Sequence, residues 1–186
     1  WELSCHPDGT SRVLNGPLQG YTLSEVVAQH PTYVAADFSP ADEFPLLIKL
    51  IDAKDRLSIQ VHPDDEYARR VEHATGKTEM WYIVDCDPGA TLIYGFKQPL
   101  TKQELRERIE TNTLMDVVNE VPVHKGDVFF IKATTLHAIG KGILIAEIQQ
   151  NSNVTYRVYD YGRKGTDGNP RPLHVEKAVE VVNRQP

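Results

Sequence analysis

Apolar residues along this chain cluster in short runs separated by Gly, Pro, Asp and Asn, the pattern of brief β-strands joined by turns. Residues 45–52 contain Leu46, Leu47, Ile48, Leu50 and Ile51 and read as a buried strand. Residues 56–62 form the next strand. Residues 79–84 and 90–94 resemble a hairpin around Asp87-Pro88-Gly89, and 128–131, 143–150 and 155–160 read as further strands. Residues 1–20 are rich in Gly, Pro, Asp and Ser and predict loop or sheet edge. Helices are few: Thr22 or Ser24 caps one that stops at His30 before Pro31, and Pro63-Asp64-Asp65-Glu66 opens another to about residue 74. Thr101 and Glu104 have capping-box spacing for a helix to Glu110, with a further helical turn over 114–118. Many short strands with turn punctuation predict a mainly β fold, a barrel or sandwich carrying short helical inserts.

Within this pattern a few polar residues sit where strands should be apolar. Side chains alternate faces along a strand, so Gln60 and His62 point the same way. Glu79, in the run Lys77-Thr78-Glu79-Met80-Trp81-Tyr82, and His137, in Thr134-Thr135-Leu136-His137-Ala138-Ile139, complete a set of four. Two imidazoles, a carboxylate and an amide oxygen suit a borderline divalent metal, with Zn²⁺ the first choice. No Cys belongs to the set, so it reads as an open, catalytic type of site. The aromatic residues Trp81, Tyr82, Phe129 and Phe130 read as core. His6, His30, His73, His124 and His174 read as exposed loop or helix-surface residues, and Asp64-Asp65-Glu66 as helix-start electrostatics.

Composition narrows the partners. With 186 residues, 40% of them hydrophobic, the chain is long enough for a real core in one or at most two domains. A net charge of -6 argues against nucleic acid or a membrane surface, leaving a small anionic substrate met by locally gathered basic residues. Two cysteines do not make a disulfide scaffold, which suggests a reducing, cytoplasmic setting, and no apolar run spans a bilayer.

Around His137 the order is Lys125-Gly126-Asp127, then Val128-Phe129-Phe130-Ile131, a turn, and the His. This is similar to the second motif of cupin barrels. The runs Ser58-Ile59-Gln60-Val61-His62-Pro63-Asp64, Gly76-Lys77-Thr78-Glu79-Met80-Trp81-Tyr82 and Gln149-Gln150-Asn151-Ser152-Asn153-Val154-Thr155-Tyr156-Arg157 resemble type I phosphomannose isomerases, as does Trp1-Glu2-Leu3-Ser4. The resemblance implies a cupin-type β-barrel, or jelly roll, with 1–186 as a single catalytic domain. It implies a small helical insert around 99–119 and a longer parent chain with a C-terminal cupin half.

It further implies one zinc held by Gln60, His62, Glu79 and His137, and interconversion of mannose 6-phosphate and fructose 6-phosphate. Arg157 and Lys77 take catalytic roles, while Ser58, Lys77, Arg157 and Arg163 contact the substrate and its phosphate. That chemistry moves a proton between two carbons through an enediol, and a metal, a base and guanidinium groups all serve it. Two other readings remain: a different metal-dependent cupin enzyme, such as an Fe²⁺ or Mn²⁺ oxygenase, and a non-catalytic sugar-phosphate-binding cupin. The chain would act as monomer or homodimer.

Overall fold

The computed structural model describes residues 1–39, 42–165 and 168–186. Its elements are β1 (Leu3–Ser4), α1 (Leu23–Gln29), β2 (Leu46–Ala53), β3 (Ile59–Val61), α2 (Asp65–Val71), β4 (Glu79–Cys86), β5 (Thr91–Phe96), α3 (Lys102–Glu110), β6 (Val118–Pro122), β7 (Val128–Ile131), β8 (His137–Ala138), β9 (Ile143–Gln150), β10 (Tyr156–Tyr159) and α4 (Val175–Val181). Thr22 and Thr101 both close capping boxes, with Glu25 and Glu104, so the helix starts lie where the sequence places them. The strand β6 and the helix α4 were not foreseen. Residues 114–118 hold only a single 3-10 turn, Leu114–Asp116, before β6 begins at Val118.

The strands form two antiparallel sheets, in the order β1-β2-β9-β4-β7 and β10-β3-β8-β5-β6. The mainly β class with short helices is as the sequence predicts, though among the described residues the ladders form two sheets, not one closed barrel. The expected hairpin of β4 and β5 does not exist. Both edges of β4 are taken, by β9 and β7, so the turn at Asp87-Pro88-Gly89 carries the chain across to the other sheet. Gly89, at φ 78°, supplies the left-handed backbone that this turn needs.

Two apolar clusters follow from strand alternation. On the second sheet, Ile59, Val61, Ala138, Tyr156 and Val158 pack outward against α3 and α4 residues such as Leu105, Ile109, Ala178 and Val179. The same strands therefore turn Gln60, His62, His137 and Arg157 to the interior. Between the sheets, Trp81, Ile83, Ile131, Ile143 and Ile145 join Leu92 and Ile139 in a second cluster. The sandwich interior is thus apolar at one end and polar at the other.

Four apolar residues read as core lie outside it. Tyr82 and Phe130 are exposed (41% and 62%), and in β2 so are Leu46 and Leu50 (39% and 58%). They point away from the partner sheet, because an antiparallel sandwich buries alternate residues only. Trp81 is fully buried and Phe129 packs partly against the core.

Replacing Ile145, which is fully buried between the sheets, by Ala is expected to cost about 3 kcal/mol. The exposed Leu50→Ala should stay within about 0.5 kcal/mol of the native protein. Denaturant midpoints of the two variants check the assignment of inner and outer faces.

Candidate metal centre

Four strands deliver the polar interior end. In β3, Gln60 lies opposite His137 of β8 on one side and opposite Arg157 of β10 on the other, so the three side chains share a face. Glu79 enters from the first sheet, at the start of β4, where it pairs with Gln149 and Ile131. The loop before β8 is held tightly for this purpose. Thr134 adopts φ 75°, its N–H donates to the His62 carbonyl (2.8 Å), and its carbonyl accepts from Asn183 N–H after α4 (2.8 Å).

His62, Glu79 and His137 are all about 1% exposed or less, and one donor atom from each lies within 4.8 Å of the others. His62 Nε2 is 3.5 Å from Glu79 Oε2, and His137 Nε2 is 3.3 Å from Glu79 Oε1. The far ring nitrogens are committed elsewhere: Nδ1–H of His62 donates to Val154 O (3.0 Å) and Nδ1–H of His137 to Thr135 O (2.8 Å). These bonds fix both tautomers and leave both Nε2 lone pairs facing the carboxylate, the orientation a metal-binding His adopts. The imidazoles are 4.7 Å apart between centroids, and the fully buried Trp81 ring meets His137 edge-on at 5.4 Å.

Burial, with the Lys77 ammonium nearby, pushes His62 down to about 3, so it is a neutral ring at ordinary pH. Burial pushes the Glu79 carboxyl up, yet Lys77 and the two imidazoles outweigh it and hold the group well below the usual carboxylate range. Both Glu79 oxygens are buried and neither accepts a hydrogen bond of proper direction, although Lys77 Nζ stands 3.0 Å from Oε2. An ionised, buried carboxylate without directed donors is costly, and two converging lone pairs cannot relieve it. A divalent cation would satisfy all three groups at once. His62, Glu79 and His137 fit such an ion by donor chemistry. Gln60 is the fourth candidate: its amide lies 3.4 Å from His137 Nε2, and a turn of the amide brings its oxygen to the same point.

Lys77 is 4% exposed and donates to His62 Nε2 at 3.0 Å. Gly76 makes this possible. A Cβ there would stand 2.5 Å from the backbone at Asp64 and Asp65, so the chain runs flat against the start of α2 before turning inward. Arg157 forms no ion pair with Asp160 or Glu147. Its Nη1 donates to Pro172 O (2.9 Å), while its Nε is buried without a partner. Ser58 is buried on the Gln60 face and its hydroxyl makes no hydrogen bond among the described residues. Arg163 is engaged elsewhere, by Asp160 Oδ1 (3.1 Å from Nε) and Arg56 O (2.6 Å from Nη1). Arg171 reaches both oxygens of the same buried Asp160 (2.7 Å each), so this carboxylate anchors the segment that carries Pro172.

Of the histidines read as exposed, His73, His124 and His174 are so; His6 and His30 are half-buried, His6 edge-on against Trp1. His174 instead supports β10, its Nδ1 accepting from Arg157 N–H at 3.1 Å.

The sequence reading missed a polar chain under the site. Lys49 donates to Glu147 Oε1 (2.9 Å) and Gln149 Oε1 (2.5 Å), and Trp81 Nε1–H donates to Glu147 Oε2 (3.0 Å). Glu147 and Gln149 are almost wholly buried, and Lys49 is lowered by burial and by the like charge of Lys77. The only available signal was that 147 and 149 share the parity of Ile143 and Ile145. In a run apolar on both parities, that signal does not select a face.

A two-sheet β-sandwich with a buried His-Glu-His cluster at one end of its interior is a metal-binding domain of cupin type. Residues 1–87 match the model of phosphomannose isomerase type I, catalytic domain. A probable mannose-6-phosphate isomerase of Bacillus subtilis (strain 168) is 48% identical over 183 residues, 98% of this chain and 57% of that protein. The mannose-6-phosphate isomerase of Streptococcus mutans is 45% identical over 182 residues, with the same coverage. A crystal structure of mannose 6-phosphate isomerase from Bacillus subtilis superposes with a TM-score of 0.90 at 43% identity, covering 98% of this chain and 58% of that one. Over nearly its whole length the chain is similar to type I phosphomannose isomerases. It spans somewhat more than half the length of these relatives. No helix among the described residues is long and apolar enough to cross a membrane.

Two outcomes are expected. A divalent ion at a hundred times its dissociation constant should stabilise the protein by about 2.7 kcal/mol, read as a rise in melting temperature that His137→Ala abolishes. Burial raises the Asp160 carboxyl, but Arg171 and Arg163 hold it below its ordinary value. Its stabilising contribution is therefore complete above the unfolded pKa of about 3.9 and is lost as pH falls through the lower folded value. Asp160→Asn should cost about 2 kcal/mol at pH 7, with the gap to the native protein closing in acid. Denaturant midpoints measured across pH check this; a gap independent of pH would remove the charge from the account.

Proposed function

We propose that this chain carries the reaction centre of a zinc-dependent aldose–ketose isomerase acting on mannose 6-phosphate and fructose 6-phosphate. The observation that carries the reading is a pair of buried polar groups on one interior: the Glu79 carboxylate between two imidazoles, which accepts no directed hydrogen bond, and the Arg157 Nε, which has no partner. Both await something brought from outside, one a cation and the other an anion or an oxygen bearing charge. The similarity to the family and the names of the relatives support the choice of substrate.

His62, Glu79, His137 and Gln60 are the residues that would hold the zinc, which when bound supplies Lewis acidity for the carbonyl oxygen of an open-chain sugar. Zinc is favoured over harder ions by the two imidazoles in the set. Lys77, fixed between His62 and Glu79, adds a buried positive charge beside the reacting oxygens and so favours the enediolate. Arg157, opposite Gln60 across the ladder, has an unused N–H for the substrate's phosphate or its developing oxyanion. Ser58 adds a free hydroxyl two residues before Gln60 on the same face, suited to a sugar hydroxyl. Arg163 would join the phosphate contacts only after leaving Asp160, and so ranks below Arg157. The buried Lys49-Glu147-Trp81 chain holds the indole against His137 and keeps water from the back of the site.

A binding role without turnover has one observation in its favour, the part-length match to the relatives. A coupled assay for fructose 6-phosphate formed from mannose 6-phosphate separates the two. Turnover should vanish with a chelator and return with Zn²⁺, and Arg157→Ala should keep its metal while losing about 100-fold in kcat/KM. A zinc-loaded chain that binds mannose 6-phosphate without turnover would leave the binding role.

A further inference from the structure

We propose that residues 170–174 form a strap that positions Arg157 for an anionic group of the substrate, with His174 as the positioning residue. This rests on the reading of Arg157 given above and adds what aims that side chain.

β10 is an edge strand of the second sheet, paired with β3 on one side. Main-chain groups on an open edge are left to water unless something covers them. At Arg157 the strap covers them, and a side chain completes the pairing. His174 N–H donates to the Arg157 carbonyl (2.8 Å), and Arg157 N–H donates to His174 Nδ1 (3.1 Å). Arg157 Nη1 donates to Pro172 O (2.9 Å), so one short segment holds this residue at three points. The hold matters because the β10–β3 register shifts between Arg157 and Tyr159. An irregularity of this kind re-aims the side chains beside it, so the ladder alone does not fix the direction of Arg157.

The strap is itself stiff. Pro170 and Pro172 lock their own φ and push Asn169 and Arg171 to extended backbone. Lys164 and Pro170 form an antiparallel bridge at its start. Arg171 grips both oxygens of the buried Asp160, just past the end of β10 (2.7 Å each). At the other end His174 leads into α4, whose Ala178 and Val179 are fully buried against the second sheet. Arg157 is therefore held by a segment pinned at both ends, and its Nε is left as the free, buried donor. A side chain fixed in advance loses little rotamer freedom when it meets an anion.

Acceptance at Nδ1 requires a neutral ring with its proton on Nε2. Arg157, Lys177, Glu72 and Tyr156 face the imidazole. Burial, then the charges of Arg157 and Lys177, push His174 below its ordinary value, against the opposing pull of Glu72. Lys177 and Tyr156 in turn hold the Glu72 carboxyl low, so of these groups only the imidazole changes charge in mild acid. The bond is intact at neutral pH and is lost as pH falls through the lowered value, when a new Nδ1–H confronts the Arg157 N–H.

The test compares the native chain, His174→Ala and His174→Asn, all zinc-loaded. Calorimetry follows mannose 6-phosphate binding across pH, and ¹⁵N NMR follows the Arg157 Nε–H. Asn keeps an acceptor near the Nδ1 position and does not titrate. His174→Ala should weaken the sugar phosphate about tenfold, the effect of one lost hydrogen bond. It should also merge the Arg157 signal with those of mobile arginines. His174→Asn should bind within about twofold of native at neutral pH, and lose less affinity than native in mild acid. A native chain that binds no mannose 6-phosphate sinks the isomerase reading, and the NMR comparison still decides the strap. An Arg157 signal unchanged in His174→Ala overturns the proposal. Equal losses in the Ala and Asn variants overturn it too, since His174 would then serve only the start of α4.

Discussion

One buried negative charge organises the interior of this protein. Glu79 is ionised, almost fully shielded from water, and faced by two imidazoles and the Lys77 side chain. Removing a carboxylate from water is expensive, and only compensating positive charge or direct coordination keeps it ionised. Everything around it answers that requirement: Lys77 is drawn in to 3.0 Å, and the far nitrogens of His62 and His137 are tied to carbonyls so that their lone pairs turn inward. A carboxylate held this way is suited to a cation that would complete its coordination.

The architecture that permits it is a division of labour within single strands. In β3, β8 and β10 the residues of one parity anchor helices α3 and α4, and those of the other parity carry the candidate site residues. Packing on the outer side therefore sets the position of every inner group, including Gln60, His137 and Arg157. Rigid backbone of this kind holds a metal centre better than loops do. Where loops do contribute, they are tied: Thr134 by hydrogen bonds to His62 and Asn183, and the segment through Pro172 by Asp160 and its two arginines. Beneath the metal cluster, Lys49, Glu147 and Trp81 continue the polar network, linking the indole that supports His137 to a buried charge pair.

Strand alternation and motif spacing pointed to the candidate cluster of His62, Glu79 and His137 in the sequence. Gln60 and His62 stand two apart in an apolar run, and Glu79 and His137 each interrupt another, so a shared interior was readable before any coordinates. The capping boxes at Thr22 and Thr101 were equally local and equally readable. Lys49, Glu147 and Gln149 were not, because β2 and β9 are apolar on both parities and nothing local says which face is inward. The same ambiguity placed Tyr82, Phe130, Leu46 and Leu50 in the core, where the sheet does not put them.

The sequence by itself determined most of the elements, though not β6 or α4, together with the mainly β class and the four candidate ligands, since these depend on periodicity and on residue chemistry within a few positions. Only the tertiary structure decided which strands pair. That sent the turn after β4 across to the opposite sheet and left Arg163 bound to Asp160 while Arg157 kept a free, buried N–H. Those outcomes rest on contacts between residues as far apart as Gln60 and Arg157 or Lys49 and Glu147, and long-range contacts carry no local signature from which to read them.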